Sequence, residues 1–126
     1  MKRIITTQNA PAPIGPYNQA VLINDTLYLS GQIGLDPYSM ELVLGSIKKE
    51  TKQVMKNLKS VLEAAEMTFD HVVKSSIFLS EMKNFSQVNE VYGSYFKNKT
   101  APARETIAVK TLPKNVRVEI SMIAIK

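Results

Sequence analysis

The sequence predicts an α+β fold, in which a mostly antiparallel six-stranded sheet carries two helices on one face in the order β-β-β-α-β-α-β-β. Two segments, residues 46–65 and 85–97, repeat apolar residues at helical spacing, whereas the other apolar runs are short and alternate with polar residues. A sheet covered by helices on one face buries both patterns. With 126 residues, the chain fits a single domain over residues 1–126.

The first three strands make up the N-terminal part of the predicted sheet. The first covers residues 3–7, and residues 8–16 form a loop because their prolines remove hydrogen-bond donors. Extended structure resumes over residues 17–23, and the third strand covers residues 26–33. Its alternation predicts one face with Leu27, Leu29, Gly31 and Ile33, and an opposite face with Tyr28, Ser30 and Gln32.

The first helix begins after the N-cap candidate Ser46 and runs to about Ala65. Lysines, with Gln53, Asn57 and Glu63, form its predicted exposed face. Its predicted buried stripe consists of Ile47, Thr51, Val54, Met55, Leu58, Val61, Leu62 and Ala65.

A strand over residues 72–80 leads to the second helix, residues 85–97. The apolar stripe of this helix contains Phe85, Val88, Tyr92, Tyr95 and Phe96. Gly93 costs a helix about 1 kcal/mol relative to alanine, which predicts close packing at this position.

The last two strands are predicted to pair as a hairpin. The first covers residues 104–110, residues 112–115 turn the chain, and the final strand carries Glu119 back. Residues at similar distances from a turn face each other, and Arg104 lies somewhat farther from the turn than Glu119, so the two are expected to lie near each other without facing directly. A guanidinium can grip a substrate carboxylate with two parallel bonds, and a carboxylate can hold or activate water. The alternative is a surface ion pair.

The final strand also predicts an uncovered sheet face. One set of side chains can face the helices, whereas Glu119, Ser121, Ile123 and Ile125 point the other way. A partly apolar bare face indicates burial against other copies of the chain. We therefore expect a homo-oligomer with Glu119 near a subunit boundary, where clefts commonly form.

Composition excludes several classes of site. The net charge of +5 comes largely from lysines on one helix face and at scattered positions, which indicates solvated surface rather than a nucleic-acid interface. The chain has no cysteine and one histidine, His71, which argues against a thiolate nucleophile and a metal site. No apolar run approaches the roughly 20 residues of a membrane span, and no signal peptide is evident, so we expect a cytoplasmic protein.

Five further residues are candidates for lining a cleft. Tyr17 follows a rigid turn and either binds ligand or anchors its loop. Ser30 and Gly31 end a strand, where a glycine allows a ligand to approach the backbone or marks a β-bulge. Asn89 lies beside an apolar helical stripe and either lines a pocket or caps a loop. Thr106 shares a strand face with Arg104 and either contacts substrate or fills the sheet.

Four motifs together resemble the reactive intermediate deaminase A (RidA, or YjgF) family. They are residues 10–17 (APAPIGPY), 30–33 (SGQI), 102–104 (PAR) and 112–120 (LPKNVRVEI). The resemblance implies a chorismate-mutase-like fold and a homotrimer whose sheets form a central barrel, with sites at the subunit interfaces. It also implies cofactor-free hydrolysis of 2-imino acids, such as those from 2-aminoacrylate made by pyridoxal-phosphate dehydratases, to 2-oxo acids and ammonia.

The resemblance also implies a role for each candidate residue. Arg104 grips the substrate carboxylate, Gly31 beside Ser30 contributes backbone around it, and Glu119 positions the attacking water. Tyr17 and Asn89 line the pocket. Thr106 is expected near the substrate, where many family members carry cysteine. Glu105 replaces a small residue, and alternation predicts that it points away from the Arg104 face.

Two alternative functions stay open at this point. One is an RNA-cleaving or translation-inhibiting protein, although a single histidine offers no acid–base pair. The other is a non-enzymatic binder or holdase that uses the same cleft for small carboxylates. Glu119 distinguishes this binder from an enzyme, because only turnover needs its carboxylate.

Overall fold

A computed structural model describes all 126 residues. The elements are β1 Lys2–Ile5, β2 Ala20–Ile23, β3 Thr26–Gln32, α1 Ile47–Ala64, β4 Val72–Leu79, α2 Phe85–Gly93, β5 Ala103–Ala108 and β6 Val118–Ile125. Short 3₁₀ turns precede β4, α2 and β6. The predicted α+β class and element order are confirmed, although α2 ends four residues earlier than predicted, at Gly93 rather than Lys97.

The six strands form one sheet in the order β1-β2-β3-β6-β4-β5. All neighbouring strands are antiparallel except β4 and β5, which run parallel. The predicted hairpin between the last two strands is therefore wrong, because β4 lies between them. The chain passes from β4 through α2 to β5, and a parallel pair requires such a crossover. Strand alternation, on which the prediction rested, does not encode which strands become neighbours.

The buried stripe of α1 is confirmed, since all eight predicted residues lie in the interior. Ser46 caps the helix by accepting a hydrogen bond from the backbone N–H of Lys49. Asn57, however, is fully buried rather than exposed. Its Nδ2 donates to the carbonyl oxygens of Ile33 and Leu35, at 3.1 and 2.9 Å, so the amide fixes the loop that follows β3.

The alternation predicted for β3 is correct only as far as Leu29. A register shift between Leu29 and Gln32 is a β-bulge, and the bulge turns Gln32 towards the core and leaves Gly31 exposed. The close packing predicted at Gly93 is also wrong, because a Cβ atom added there would meet nothing within 4 Å.

A buried carboxylate anchors the start of β6. Glu50, on α1, is 3% exposed, and its two oxygens accept hydrogen bonds from the backbone N–H of Arg117 (2.8 Å) and from its Nε (2.7 Å). The Nη2 of Arg117 donates to the carbonyl of Gly45. Gly34 leaves room for this arrangement, because a Cβ atom there would lie 2.8 Å from Cγ of Glu50. The sequence did not indicate this ion pair.

The sheet face opposite the helices is uncovered in the single chain. By strand register it carries exposed apolar side chains from five strands, namely Ile4, Ile23, Tyr28, Ile107 and Ile125. Glu119 lies on the same face, since it alternates with the buried Val118 and Ile120. The predicted bare face is confirmed.

No helix has both the length and the apolar character needed to cross a membrane.

Candidate active site

Arg104 lies on the helix-covered side of the sheet, next to α2. Its strand position pairs with the buried Ser75 of β4. Nη1 of Arg104 donates a 2.6 Å hydrogen bond to Oδ1 of Asn89. The guanidinium carbon lies 5.2 Å from the ring centroid of Tyr92 and 5.7 Å from that of Phe85. An amide and two aromatic faces therefore orient the guanidinium.

Tyr92, which contacts the guanidinium, is itself fixed by a hydrogen bond to β4. Its hydroxyl donates to Oγ of Ser75 at 2.9 Å, and burial raises the pKa of the phenol, which keeps it neutral. Sequence reasoning assigned Tyr92 only to the apolar stripe. The available signal was spacing, because Phe85, Asn89 and Tyr92 follow one another at i, i+4 and i+7 on one helix face.

Arg104 forms no ion pair, although four ion pairs exist elsewhere in the protein. Its side chain borders a cavity of ≈ 400 Å³, the Arg104 cleft, which is also lined by Asn89, Tyr92, Asn98, Ala101 and Pro102. Thr106 lies on the same strand face, and its buried hydroxyl has no hydrogen-bond partner. A solvent-exposed cation without a carboxylate partner is free to bind a small anion.

Glu105 points to the opposite face, as predicted. It pairs in register with Ser76, accepts a hydrogen bond from the Ser76 hydroxyl, and forms an ion pair with Lys74 at 2.9 Å. Hydrogen bonds from Ser76 and then Lys74 lower the pKa of Glu105. This carboxylate therefore does not repel an anion held by Arg104 within the same chain.

Glu119 borders a second cavity of ≈ 450 Å³, the Glu119 cleft, on the bare side of the sheet. The cleft is lined by Ile14, Tyr17, Ser30, Gly31, Ile33, Pro113 and Glu119. A Cβ atom on Gly31 would collide with the carboxylate of Glu119. The glycine at the bulge thus provides the space that this side chain occupies.

The Glu119 carboxylate has neither an ion-pair nor a hydrogen-bond partner in the chain. It is half-buried, and burial raises its pKa above the usual value for glutamate. A carboxylate in this state holds a proton more strongly than an exposed one, which suits a general base.

Ser30 and Tyr17 flank Glu119. The hydroxyl of Ser30 donates to the carbonyl of Asn18 at 2.5 Å, and its backbone N–H donates to the carbonyl of Gln19. Ser30 therefore fastens the loop to β3. Tyr17 is half-exposed at the cleft, and its hydroxyl makes no hydrogen bond within the chain.

The two clefts do not meet within one chain. Arg104 pairs with Ser75 and Glu119 pairs with Phe78, so their Cα atoms are two strands and three residues apart, or about 14 Å. Their side chains also lie on opposite faces of the sheet. The convergence expected from a hairpin is therefore wrong for the single chain, and a pocket that contains both groups needs a second copy.

His71 is part of a turn rather than of either cleft. Its Nδ1 accepts a 3.0 Å hydrogen bond from the backbone N–H of Thr68, and Thr68 in turn accepts one from the N–H of Asp70. This reciprocal capping fixes the 3₁₀ turn before β4. The described residues contain no group of three or more acidic or histidine side chains that could hold a metal ion.

The family model described as endoribonuclease L-PSP matches residues 7–126 of this chain. The chain belongs to this family, which is also known as RidA or YjgF. A human relative described as 2-iminobutanoate/2-iminopropanoate deaminase is 47% identical over 126 residues, covering 100% of this chain and 91% of the relative. A RutC family protein of Pyrococcus horikoshii is 46% identical, with coverage of 100% and 99%.

Solved structures of RidA-family proteins have the same fold. A Rid family protein of unknown function from Yersinia pestis superposes with a TM-score of 0.96 at 48% identity, covering 100% of both chains. Escherichia coli TdcF, solved with bound serine, gives a TM-score of 0.92 at 33% identity and covers 98% of each chain. The recognition of the family from four motifs is thus confirmed.

Proposed function

We propose that this protein is a 2-iminobutanoate/2-iminopropanoate deaminase, an enzyme that hydrolyses a C–N bond. The observation that carries the proposal is the presence of two groups of opposite charge, neither of which has a charged partner. Arg104 is an oriented cation that forms no ion pair, and Glu119 is a half-buried carboxylate with a raised pKa. The name of the human relative, 47% identical over the whole chain, describes the same reaction.

The proposed enzyme is a homotrimer that builds each site from two subunits. Arg104 and Glu119 are on opposite faces of one sheet, so one subunit contributes the Arg104 cleft and a neighbour contributes the Glu119 cleft. The exposed apolar face that contains Tyr28 and Ile125 supports this assembly, since burial of such a face stabilises oligomers.

In the proposed site, the substrate carboxylate binds between the two clefts. Arg104 forms two parallel hydrogen bonds to it, and Asn89 keeps the guanidinium in plane. The unpaired hydroxyl of Thr106 is available as a further donor on the same face. Ser30 and Gly31 supply backbone close to the anion, and Tyr17 closes the cleft.

Hydrolysis then needs one water and one proton carrier. The protonated imine carbon C2 is electrophilic, so a water oxygen attacks it while Glu119 accepts a water proton. Glu119 next gives this proton to the nitrogen of the tetrahedral adduct. As the C–N bond breaks and ammonia departs, the C2 hydroxyl gives its proton to Glu119 and becomes the carbonyl of the 2-oxo acid. Glu119 then passes this proton to the ammonia, which leaves as ammonium, and the carboxylate is restored. A raised pKa suits both transfers, because it brings the carboxyl closer to the working pH.

The other functions considered are less well supported. A nuclease of the histidine acid–base type has no candidate here, because His71 caps a turn. A non-enzymatic carboxylate binder would use Arg104 but would not need the raised pKa of Glu119. The cytoplasmic location expected from the sequence stays a prediction.

A coupled assay tests the proposal. A pyridoxal-phosphate dehydratase generates 2-aminoacrylate from serine, and release of the 2-oxo acid is followed with and without this protein. We expect faster release with the wild type, loss of the acceleration in Arg104→Ala, and no change in Arg3→Ala, which removes an exposed arginine on β1. An assembled, folded wild type that leaves the spontaneous rate unchanged would contradict the proposal.

A further inference from the structure

A third cavity of ≈ 300 Å³ adjoins the Glu119 cleft, beneath the loop that carries Tyr17. We refer to it as the side-chain cavity. Its apolar lining consists of Pro11, Ala12, Ile14, Ile33, Leu35 and Pro113. Five residues, including Tyr17 and Gly31, line both the side-chain cavity and the Glu119 cleft. An elongated molecule with its reacting carbon at Glu119 can therefore extend into this cavity.

One of the two glutamines in the lining has no spare donor. Oε1 of Gln19 accepts from the backbone N–H of Thr7, and its Nε2 donates to the carbonyls of Thr7, Ala10 and Pro11. Two N–H groups thus serve three acceptors. Gln19 fixes the wall of the cavity and offers no N–H to an occupant.

Gln32 is different. It is 6% exposed, the β-bulge turns it towards the core, and its side-chain amide makes no hydrogen bond in the chain. This amide is not sealed from solvent, so it is free to form a hydrogen bond with a molecule that enters the cavity. The amide can both donate and accept.

We propose that the side-chain cavity binds the side chain of the imino acid and prefers uncharged side chains that end in a hydrogen-bonding group. Gln32 is the partner of that group, and the apolar lining contacts the methylene groups before it. A charged end is disfavoured, because the lining is mainly apolar and its one charged residue, Lys114, is solvent-exposed. The inference rests on the proposed deaminase function and adds its substrate preference.

Three imino acids test this preference. An amino-acid oxidase generates them in situ from alanine, norleucine and 5-hydroxynorvaline. The last two differ only by a terminal methyl or hydroxyl group. We expect the wild type to prefer the hydroxyl-bearing imine over the norleucine imine by about 5-fold in kcat/KM, as one added hydrogen bond allows. Equal values for this pair would overturn the role of Gln32.

Two variants probe the cavity separately. Gln32→Leu should remove the preference for the hydroxyl and leave the melting temperature nearly unchanged, because no side-chain hydrogen bond within the chain is lost when the amide is replaced by an apolar group of similar size. Ala12→Leu fills the cavity from the exposed loop. It should lower the ratio of kcat/KM for norleucine imine over alanine imine by about 10-fold. The control Ala64→Leu, on the exposed face of α1, should leave this ratio unchanged.

The outcomes separate this inference from the proposed function. A wild type that is inactive on all three imines contradicts the deaminase itself. If the wild type is active, and the ratios of kcat/KM between imines are the same in Ala12→Leu and Gln32→Leu as in Ala64→Leu, only the role of the side-chain cavity is contradicted. A marked fall in the melting temperature of Gln32→Leu would mean that its amide stabilises the fold, which also overturns the inference.

Discussion

The carboxylate of Glu119 fills the space beside Gly31 that a Cβ atom would require. The contact joins the bulge of β3 to the beginning of the adjacent β6. No side chain other than hydrogen can occupy position 31 unless the carboxylate moves. The glycine therefore determines where the proposed general base lies, as well as allowing the bulge.

Replacement of Gly31 by alanine should reduce kcat by about 100-fold, because the displaced carboxylate no longer reaches the attacking water. The melting temperature should change little, since the obstacle is the end of a flexible side chain. Steady-state kinetics with 2-iminopropanoate, alongside thermal unfolding, measure both effects. A variant with normal kcat would show that the position of Glu119 is not important for turnover.

Arg104→Lys should lower kcat/KM by about 100-fold or more, because lysine cannot form the two parallel bonds to a carboxylate. It would also lose the planar contact with Tyr92 and the hydrogen bond to Asn89. The matched control is Arg3→Lys, the same change at an exposed position of β1, which should retain full activity. Near-normal turnover by Arg104→Lys would defeat the role assigned to the guanidinium.

Glu119→Gln should abolish turnover while preserving the affinity for a 2-oxo acid product, measured by calorimetry. If the protein only binds carboxylates, turnover is absent from the wild type as well and the variant changes little. Glu63→Gln, on the exposed surface of α1, serves as the control.

The raised pKa of Glu119 predicts that the stability of the folded protein depends on pH, and the same Glu119→Gln variant tests this. Burial raises the pKa of Glu119 in the folded protein, so the folded state binds the proton more tightly than the unfolded chain does. The wild type consequently loses stability as the pH rises through this raised pKa. Glu119→Gln should therefore melt at a higher temperature than the wild type at neutral pH, and the difference should shrink in acid. If the difference in melting temperature stays constant from acid to neutral pH, Glu119 is not the group responsible.

Mixed subunits test the shared site. Arg104→Ala and Glu119→Gln are each expected to be inactive. Unfolding and refolding them together at equal amounts should restore about a quarter of the wild-type activity, because some interfaces then combine an intact Arg104 with an intact Glu119. The unmixed proteins, refolded in the same way, are the controls. No recovery in assembled mixtures would contradict a site that combines Arg104 of one subunit with Glu119 of another.

Arg117→Ala should destabilise the protein by about 3 kcal/mol, because it leaves the buried carboxylate of Glu50 without its cation. Urea unfolding at fixed protein concentration measures the change. Lys48→Ala removes an ion pair with Glu90 that is exposed on both sides, and it should have no measurable effect. Equal effects of the two changes would mean that burial of Glu50 does not matter.

The features predicted correctly from the sequence are those governed by local periodicity. The stripe from Ile47 to Ala65 follows the helical repeat, and the alternation of β6 places Glu119 on the bare face. Recognition of the family required the four motifs in order, since each is short. The opposite orientations of Arg104 and Glu105 also follow from alternation.

The features that were missed depend on contacts between distant segments. Nothing near Arg104 indicates that β5 pairs with β4 rather than with β6. The bulge inserts one residue and reverses the faces of Gly31 and Gln32, so a pattern with period two fails there. The burial of Asn57 is likewise explained by its bonds to the loop after β3, 22 and 24 residues away in the chain.

The position of β6 has a consequence for the order in which the sheet assembles during folding. β6 follows the other five strands along the chain, yet it lies inside the sheet, between β3 and β4. Until β6 docks, no strand pairing connects β1, β2 and β3 with β4 and β5, and the Glu119 cleft lacks its carboxylate. The two parts of the sheet therefore become one continuous sheet only when β6 pairs with both of them, which makes its docking a late, long-range step of folding.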